Sequence, residues 1–315
     1  MNHIITYFYL EHKDNQSTYG LQEKDFKKKN EYYFRCIVIF FLSSKKYNSE
    51  SKHYFVCNED DQIEFIPNFN FLKFCNDNNI KIIKKLSKYV TKQKKWAGSM
   101  YLFDSIDYFN ENSLSANDNY IFFDNDVLIH DSFKNIPEFE QNNELIGYDI
   151  SNDYMKNGQW CVDFNGISKQ YMVDHEFTPY GGEFLLIKGD FLEHFIKTFK
   201  NIYPIDEFLT EEHYISYMIS KLFRNKYKVG KINNHLRRIW TTFKYNNVYE
   251  SDRNLKILHL PSEKQFGLYW LNKTSINNCN IYNKELALAY TGITRRPLYI
   301  KVRLYITKII NKLSK

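Results

Sequence analysis

The segment Asn119-Tyr120-Ile121-Phe122-Phe123-Asp124-Asn125-Asp126-Val127-Leu128-Ile129 constrains this chain more than any other stretch. It reads as the best-defined strand of the chain, with Asp124-Asn125-Asp126 at the end of its four apolar residues Tyr120–Phe123. Side chains at i and i+2 of a strand share a face, so Asp124 and Asp126 are expected to converge. Converging carboxylates repel and lose hydration unless a cation or a donor network neutralises them. A hard divalent ion shared with a diphosphate is the natural solution. A bare Asp-x-Asp also fits a turn carrying two solvated acids, so its surroundings must decide.

Those surroundings alternate strand-like runs with helical patterns, which predicts an α/β architecture. Ile4–Tyr9 is β-branched and aromatic, and His53–Cys57 reads as a short strand. Arg35–Leu42 is apolar after its first residue and is expected to be a buried strand, being about half the length of a membrane span. Phe71–Leu86 reads as a short helix, a turn at Asn76–Asn79 and a strand. Trp96–Phe109 has apolar residues at helical spacing. After the Asp-x-Asp come a strand at Leu145–Ile150, a loop or hairpin over Ser151–Thr178, and a strand Tyr180–Ile187 entering a helix at Gly189–Phe199. A second helix opens at Thr210. Strands at Lys228–Ile232 and Leu255–His259 precede a C-terminal helix.

With 315 residues, 52 of them Tyr or Phe, the chain has ample mass for a large core, which excludes disordered and fibrous classes. Its five cysteines (Cys36, Cys57, Cys75, Cys161 and Cys279) include no Cys-x-x-Cys pair. Buried free thiols in a reducing compartment are the simplest reading. The apolar run at the N-terminus is too short for a signal peptide, so a cytoplasmic protein is expected.

From here the sequence resembles the nucleotide-sugar glycosyltransferases of the GT-A fold, over roughly residues 4–270. Ile121–Asp126 is similar to the hydrophobic strand and DxD motif of that group. The resemblance implies that Asp126 coordinates Mn²⁺ or Mg²⁺ and that Asp124 contacts the metal or the ribose. Tyr180-Gly181-Gly182-Glu183 resembles the acceptor-side strand, where paired glycines let backbone approach a sugar. Thr210-Glu211-Glu212-His213 resembles the helix start at which these enzymes present a catalytic carboxylate. Glu212 is slightly preferred over Glu211 in that role, although acids after a Thr N-cap also suit the helix dipole by themselves. Leu258-His259-Leu260-Pro261-Ser262-Glu263-Lys264 resembles the C-terminal His…Lys segment of glycogenin-like and lipooligosaccharide galactosyltransferases. There His259 would complete the metal set and Lys264 would meet the diphosphate. The spacing departs by one residue and the usual glycine is absent.

The implied fold is a GT-A-like, Rossmann-type mixed sheet flanked by helices, with a catalytic domain over residues 1–270 and a C-terminal amphipathic helical extension over 271–315. Tyr7 and Tyr9 are placed to stack on a nucleobase. Asp149, Asp153, Trp160, Asp163 and Tyr180 are candidates for an acceptor cleft. The implied function is metal-dependent transfer of a sugar from a nucleotide-diphosphate donor, a UDP-sugar first, to a glycan or lipid-linked acceptor in bacterial lipooligosaccharide, O-antigen or capsule synthesis. Two other readings stand beside it: a haloacid-dehalogenase-type phosphohydrolase using Asp124, and a glycan-binding protein without turnover.

Charge separates the possible macromolecular partners. The net charge is +6, yet the tail from Arg295 to Lys315 holds seven of the 43 basic residues and no acid, which leaves residues 1–294 with 36 bases against 37 acids. The body therefore has no general polyanion-binding field, and its Lys-rich runs at Lys27–Lys29 and Lys92–Lys95 lack the aromatic interleaving that nucleic acid requires. Leu298, Val302, Tyr305, Ile309 and Leu313 recur at helical spacing among the tail's bases. That pattern predicts a basic amphipathic helix at the inner face of the cell membrane, so a peripheral rather than freely diffusing protein.

Overall fold

In a computed structural model of the chain, described residues are 1–11, 25–59, 64–90, 97–112, 115–152, 178–223, 226–241, 246–277 and 280–313. The strands among them are β1 (Asn2–Phe8), β2 (Lys52–Cys57), β3 (Ile80–Lys84), β4 (Asn119–Phe123), β5 (Val127–Ile129), β6 (Leu145–Asp149), β7 (Tyr180–Lys188), β8 (Val229–Lys231), β9 (Leu236–Arg238) and β10 (Ile257–His259). Two compact units are formed. One comprises Met1–Tyr19, Glu50–Asp124 and Phe133–Asn234; the other comprises Gly20–Ser49, Asn125–Ser132 and His235–Lys315.

The first unit is built on a seven-stranded sheet in the order β3-β2-β1-β4-β7-β6-β8. The four strands β3, β2, β1 and β4 run parallel, whereas β7 is antiparallel to both β4 and β6. All five residues of β4 are buried, and so are the central residues of β1, which explains their unbroken apolar sequence. Helix Tyr101–Glu111 packs on helix Leu192–Ile202 through Phe103 and Phe199, whose rings stack with centroids 3.7 Å apart. The expected helix, turn and strand at 71–86 are present: Asn70 caps helix Phe71–Asp77 by accepting from Lys73 N at 2.7 Å, and Asn79 turns the chain at φ 51° into β3.

The second unit corrects one expectation outright. Arg35–Leu42 is not a strand but the centre of the 22-residue helix Phe26–Tyr47, capped by Asp25, which accepts from Lys27 N at 2.9 Å. Every residue from Phe34 to Ser44 is buried, and a helix covered on all sides shows no amphipathic period. The long strand expected over 119–129 is also divided. It ends at Phe123, Asn125 and Asp126 lie in a turn, and Val127–Ile129 joins a separate three-stranded sheet, β5-β10-β9. Strand alternation therefore does not govern the direction of the Asp124 and Asp126 side chains.

Beyond β10 the described residues form three α-helices where one was expected, at Gly267–Asn277, Lys284–Thr291 and Leu298–Leu313. Among the described residues no helix is long and apolar enough to cross a membrane. Cys36, Cys57 and Cys75 are buried free thiols, while Cys161 and Cys279 lie outside the described residues.

Candidate active site

In the second unit the chemistry gathers around Asp126, whose carboxyl is 1% exposed. The turn that carries it is tied to the end of β10: Leu260 N donates to the Asp126 carbonyl at 3.1 Å. Oδ2 accepts from Lys264 Nζ, and Oδ1 faces His259 Nε2 at 3.3 Å but accepts no hydrogen bond. Burial opposes ionisation of this carboxyl, but Lys264 and His259 outweigh it and hold the group well below the usual carboxylate range. A buried carboxylate oxygen without a hydrogen, opposite an imidazole nitrogen, is a donor pair that fits a divalent cation.

In the first unit the chemistry gathers around Asp124 and Glu211. Tyr7 Oη donates to Asp124 Oδ1 at 3.2 Å, and Asp124 N donates to the Glu183 carbonyl at 3.2 Å, which fixes the residue that follows β4. Tyr7 is buried, and burial followed by the charges of Asp124 and Glu211 raises its phenol well above the usual value. Glu211 opens the helix Glu211–Tyr217 and is 7% exposed. Its Oε2 has no hydrogen-bond partner. Burial first, then Glu212 and Asp124, push its carboxyl up to about 8.

Gly182 explains how that carboxyl fits. A side chain at this position of β7 would collide with Oε1, Cδ and Cγ of Glu211. The glycine thus makes room for a glutamate. The helix start is held by His213, whose Nδ1 accepts from Leu209 N at 3.0 Å and Thr210 N at 3.2 Å. An Nδ1 that accepts from backbone amides is unprotonated, and burial lowers this imidazole to about 4.

Glu212 follows Glu211 and is half-buried, and Glu183 is fully buried beside Gly181 in β7. Tyr180 is buried against Gly147, with its backbone clamped by Ser216 Oγ, which accepts from Tyr180 N at 2.8 Å. Tyr9 packs on Tyr101 with ring centroids 5.7 Å apart. Asp149 is engaged by Lys231 Nζ at 2.6 Å and Ser151 N at 2.9 Å, so its carboxylate is occupied by structural partners. Asp153, Trp160 and Asp163 lie outside the described residues. Ser99, which accepts from Glu211 N at 3.5 Å, escaped the sequence reading because a lone serine between Gly98 and Met100 carries no signal.

No family model matches the sequence, and no curated protein matches it. Among solved structures, the galactosyltransferase LgtC in complex with donor and acceptor sugar analogues is similar over 95% of this chain and 99% of that one, with 12% identity and a TM-score of 0.51. An active-site mutant of LgtC aligns over 82% of this chain and 86% of that one, with 13% identity and a TM-score of 0.47. The apo-form glycosyltransferase GlyE of Streptococcus pneumoniae TIGR4 aligns over 91% and 61%, also at 13% identity, with a TM-score of 0.45. The likeness to LgtC is one of fold: this chain has the mixed, helix-flanked α/β sheet of the GT-A-like architecture.

Proposed function

We propose that the protein is a glycosyltransferase that uses a divalent cation, Mn²⁺ or Mg²⁺, to move a sugar from a nucleoside diphosphate to a hydroxyl of a glycan or lipid-linked acceptor. The observation that carries this reading is the buried Asp126 carboxylate, with Oδ1 free of hydrogen bonds opposite His259 Nε2. Asp126 and His259 would hold the cation. When bound, it neutralises negative charge building on the departing diphosphate. Lys264, which pairs with Asp126, would add a second positive group.

The residues of the first unit suit the sugar side. Glu211 keeps its proton near neutral pH and so offers a hydrogen-bond donor to a sugar oxygen. Glu212, next to it and half-buried, would accept the proton of the attacking hydroxyl. Incubation with UDP-sugars tests the reading: free UDP is expected with Mn²⁺ and not with chelator. Equal release with chelator, or from Asp126→Ala, would sink it.

The acceptor we infer is a surface glycan precursor of the lipooligosaccharide, O-antigen or capsule type, met at the inner face of the membrane. Support comes from the extension 271–315. On helix Leu298–Leu313, Leu298, Val302, Tyr305 and Ile309 are between 47% and 76% exposed, with Lys301 and Arg303 among them. Such a face binds anionic bilayers by apolar insertion and charge together. Val302→Asp with Ile309→Asp is expected to abolish sedimentation with anionic liposomes, and unchanged sedimentation would remove the membrane contact.

A further inference from the structure

The segment that carries His259 and Lys264 is anchored by a side chain far along the chain. Glu263, next to Lys264, is 1% exposed and receives a two-pronged ion pair from Arg296: Nη1 donates to Oε2 at 3.0 Å and Nη2 to Oε1 at 2.5 Å. Gly267 N donates to Oε2 at 2.9 Å, and Thr241 Oγ1 donates to Oε1. Arg296 in turn donates to the carbonyls of Tyr290 at 2.6 Å and Thr291 at 2.9 Å, groups that the end of helix Lys284–Thr291 leaves open. Two glycines make the room. A side chain at Gly267 would collide with Glu263 Oε2, and one at Gly292, which has φ 81°, would collide with the Arg296 guanidinium. One of the tail's seven bases is therefore spoken for internally.

We propose that Arg296 is a positioning residue for the turn between His259 and Lys264, so that the start of the C-terminal helix and the cation and diphosphate ligands form one mechanical unit. The proposal rests on the functional reading given above. The chain of contacts is short: Arg296 fixes Glu263, Glu263 N donates to the Leu260 carbonyl at 3.0 Å, and Leu260 N donates to the Asp126 carbonyl. Arg296 thus holds both the residue before Lys264 and, through Leu260, the backbone of Asp126. Anything that pulls on the tail, such as binding to a surface, acts on the same turn. A truncation that removes Arg296 would unsettle this turn as well as the tail, so point variants in the full chain are the proper test.

Full-length Arg296→Met and Arg296→Lys are compared with the wild type by binding of UDP with Mn²⁺ and by amide hydrogen exchange. Loss of a residue supporting metal ligands typically weakens affinity about ten- to a hundredfold, and that is the expectation for Arg296→Met. Arg296→Lys keeps the charge but loses the fork, so partial recovery is expected; this variant also decides the matter if Arg296→Met does not fold. Exchange should quicken at Leu260, Glu263, Phe266 and Gly267 while β1 and β2 stay protected. Wild-type affinity in both variants, or unchanged exchange at those amides, would overturn the proposal. Failure of the wild type itself to bind UDP with Mn²⁺ would overturn the functional reading instead, and exchange would then decide alone whether Arg296 holds the turn.

Discussion

Asp126 and Glu211 are both buried carboxyls at the ends of regular elements, yet their surroundings drive them in opposite directions. Around Asp126 a lysine and a histidine overcome burial and keep the group ionised. Around Glu211 burial is reinforced by two further acids, and the group holds its proton up to about pH 8. Burial sets the penalty on charge, and the sign of the neighbours decides whether it is overcome. Two acids of nearly equal intrinsic strength thus become a standing anion in one unit and a proton donor in the other. The division suits the proposed reaction, which would bind a cation and contact sugar hydroxyls.

The largest effect is expected on breaking the charged half. Asp126→Asn removes the carboxylate that Lys264 pairs with in a largely buried setting, which should cost about 3–5 kcal/mol in urea unfolding, alongside loss of Mn²⁺-dependent nucleotide binding. Asp126→Asn combined with Lys264→Met should recover stability and not binding. If the double variant is no more stable than the single one, Lys264 is not the group that holds Asp126 ionised.

The neutral half is sharpened by pH. A carboxyl with its folded value raised from 4.5 to about 8 contributes stability that is full below 4.5 and lost as pH rises through 8. Asp126 has the opposite slope, with stability present above its usual value of 3.8 and lost as pH falls. Glu211→Gln, neutral at all pH, should therefore gain on the wild type by about 2 kcal/mol or more between pH 5 and pH 8, read from unfolding midpoints. A gap that does not change with pH would show that Glu211 is ionised throughout.

Smaller effects follow from the packing around Glu211. Gly182→Ala should cost about 1–3 kcal/mol because the new methyl collides with the glutamate, and Glu211→Ala in the same chain should relieve most of it. Tyr7→Phe removes one hydrogen bond to Asp124 and should cost about 1 kcal/mol. An additive Gly182–Glu211 pair would mean that the glycine serves some other purpose.

Much of the sheet was legible because its strands are short, β-branched and bounded by polar turns. Residues Ile4–Tyr9, His53–Cys57, Leu145–Ile150 and Tyr180–Ile187 all sit on or within one residue of strands. Arg35–Leu42 was not legible, because complete burial erases the period that separates helix from strand. The seam at Asp124 was hidden for a related reason. An apolar run gives no sign that its second half pairs with a different sheet, as Val127–Ile129 does with β10.

The residue types of the site were visible in order along the chain: Asp124-Asn125-Asp126, Glu211-Glu212 and His259…Lys264. Which group faces which was not. The pairing of Lys264 with Asp126 spans 138 positions, and the choice of Gly182 as the seat of Glu211 depends on two elements packing side by side. By itself the sequence determined the alternating α/β plan, the supply of acids, bases and imidazole, and the concentration of positive charge in the last 21 residues. Tertiary structure alone decided that Asp126 is charged, that Glu211 is neutral and that Arg296 belongs to the body rather than to the tail's free face. Protonation and pairing depend on burial and on neighbours distant in the chain, and neither is a property of a residue's own stretch of sequence.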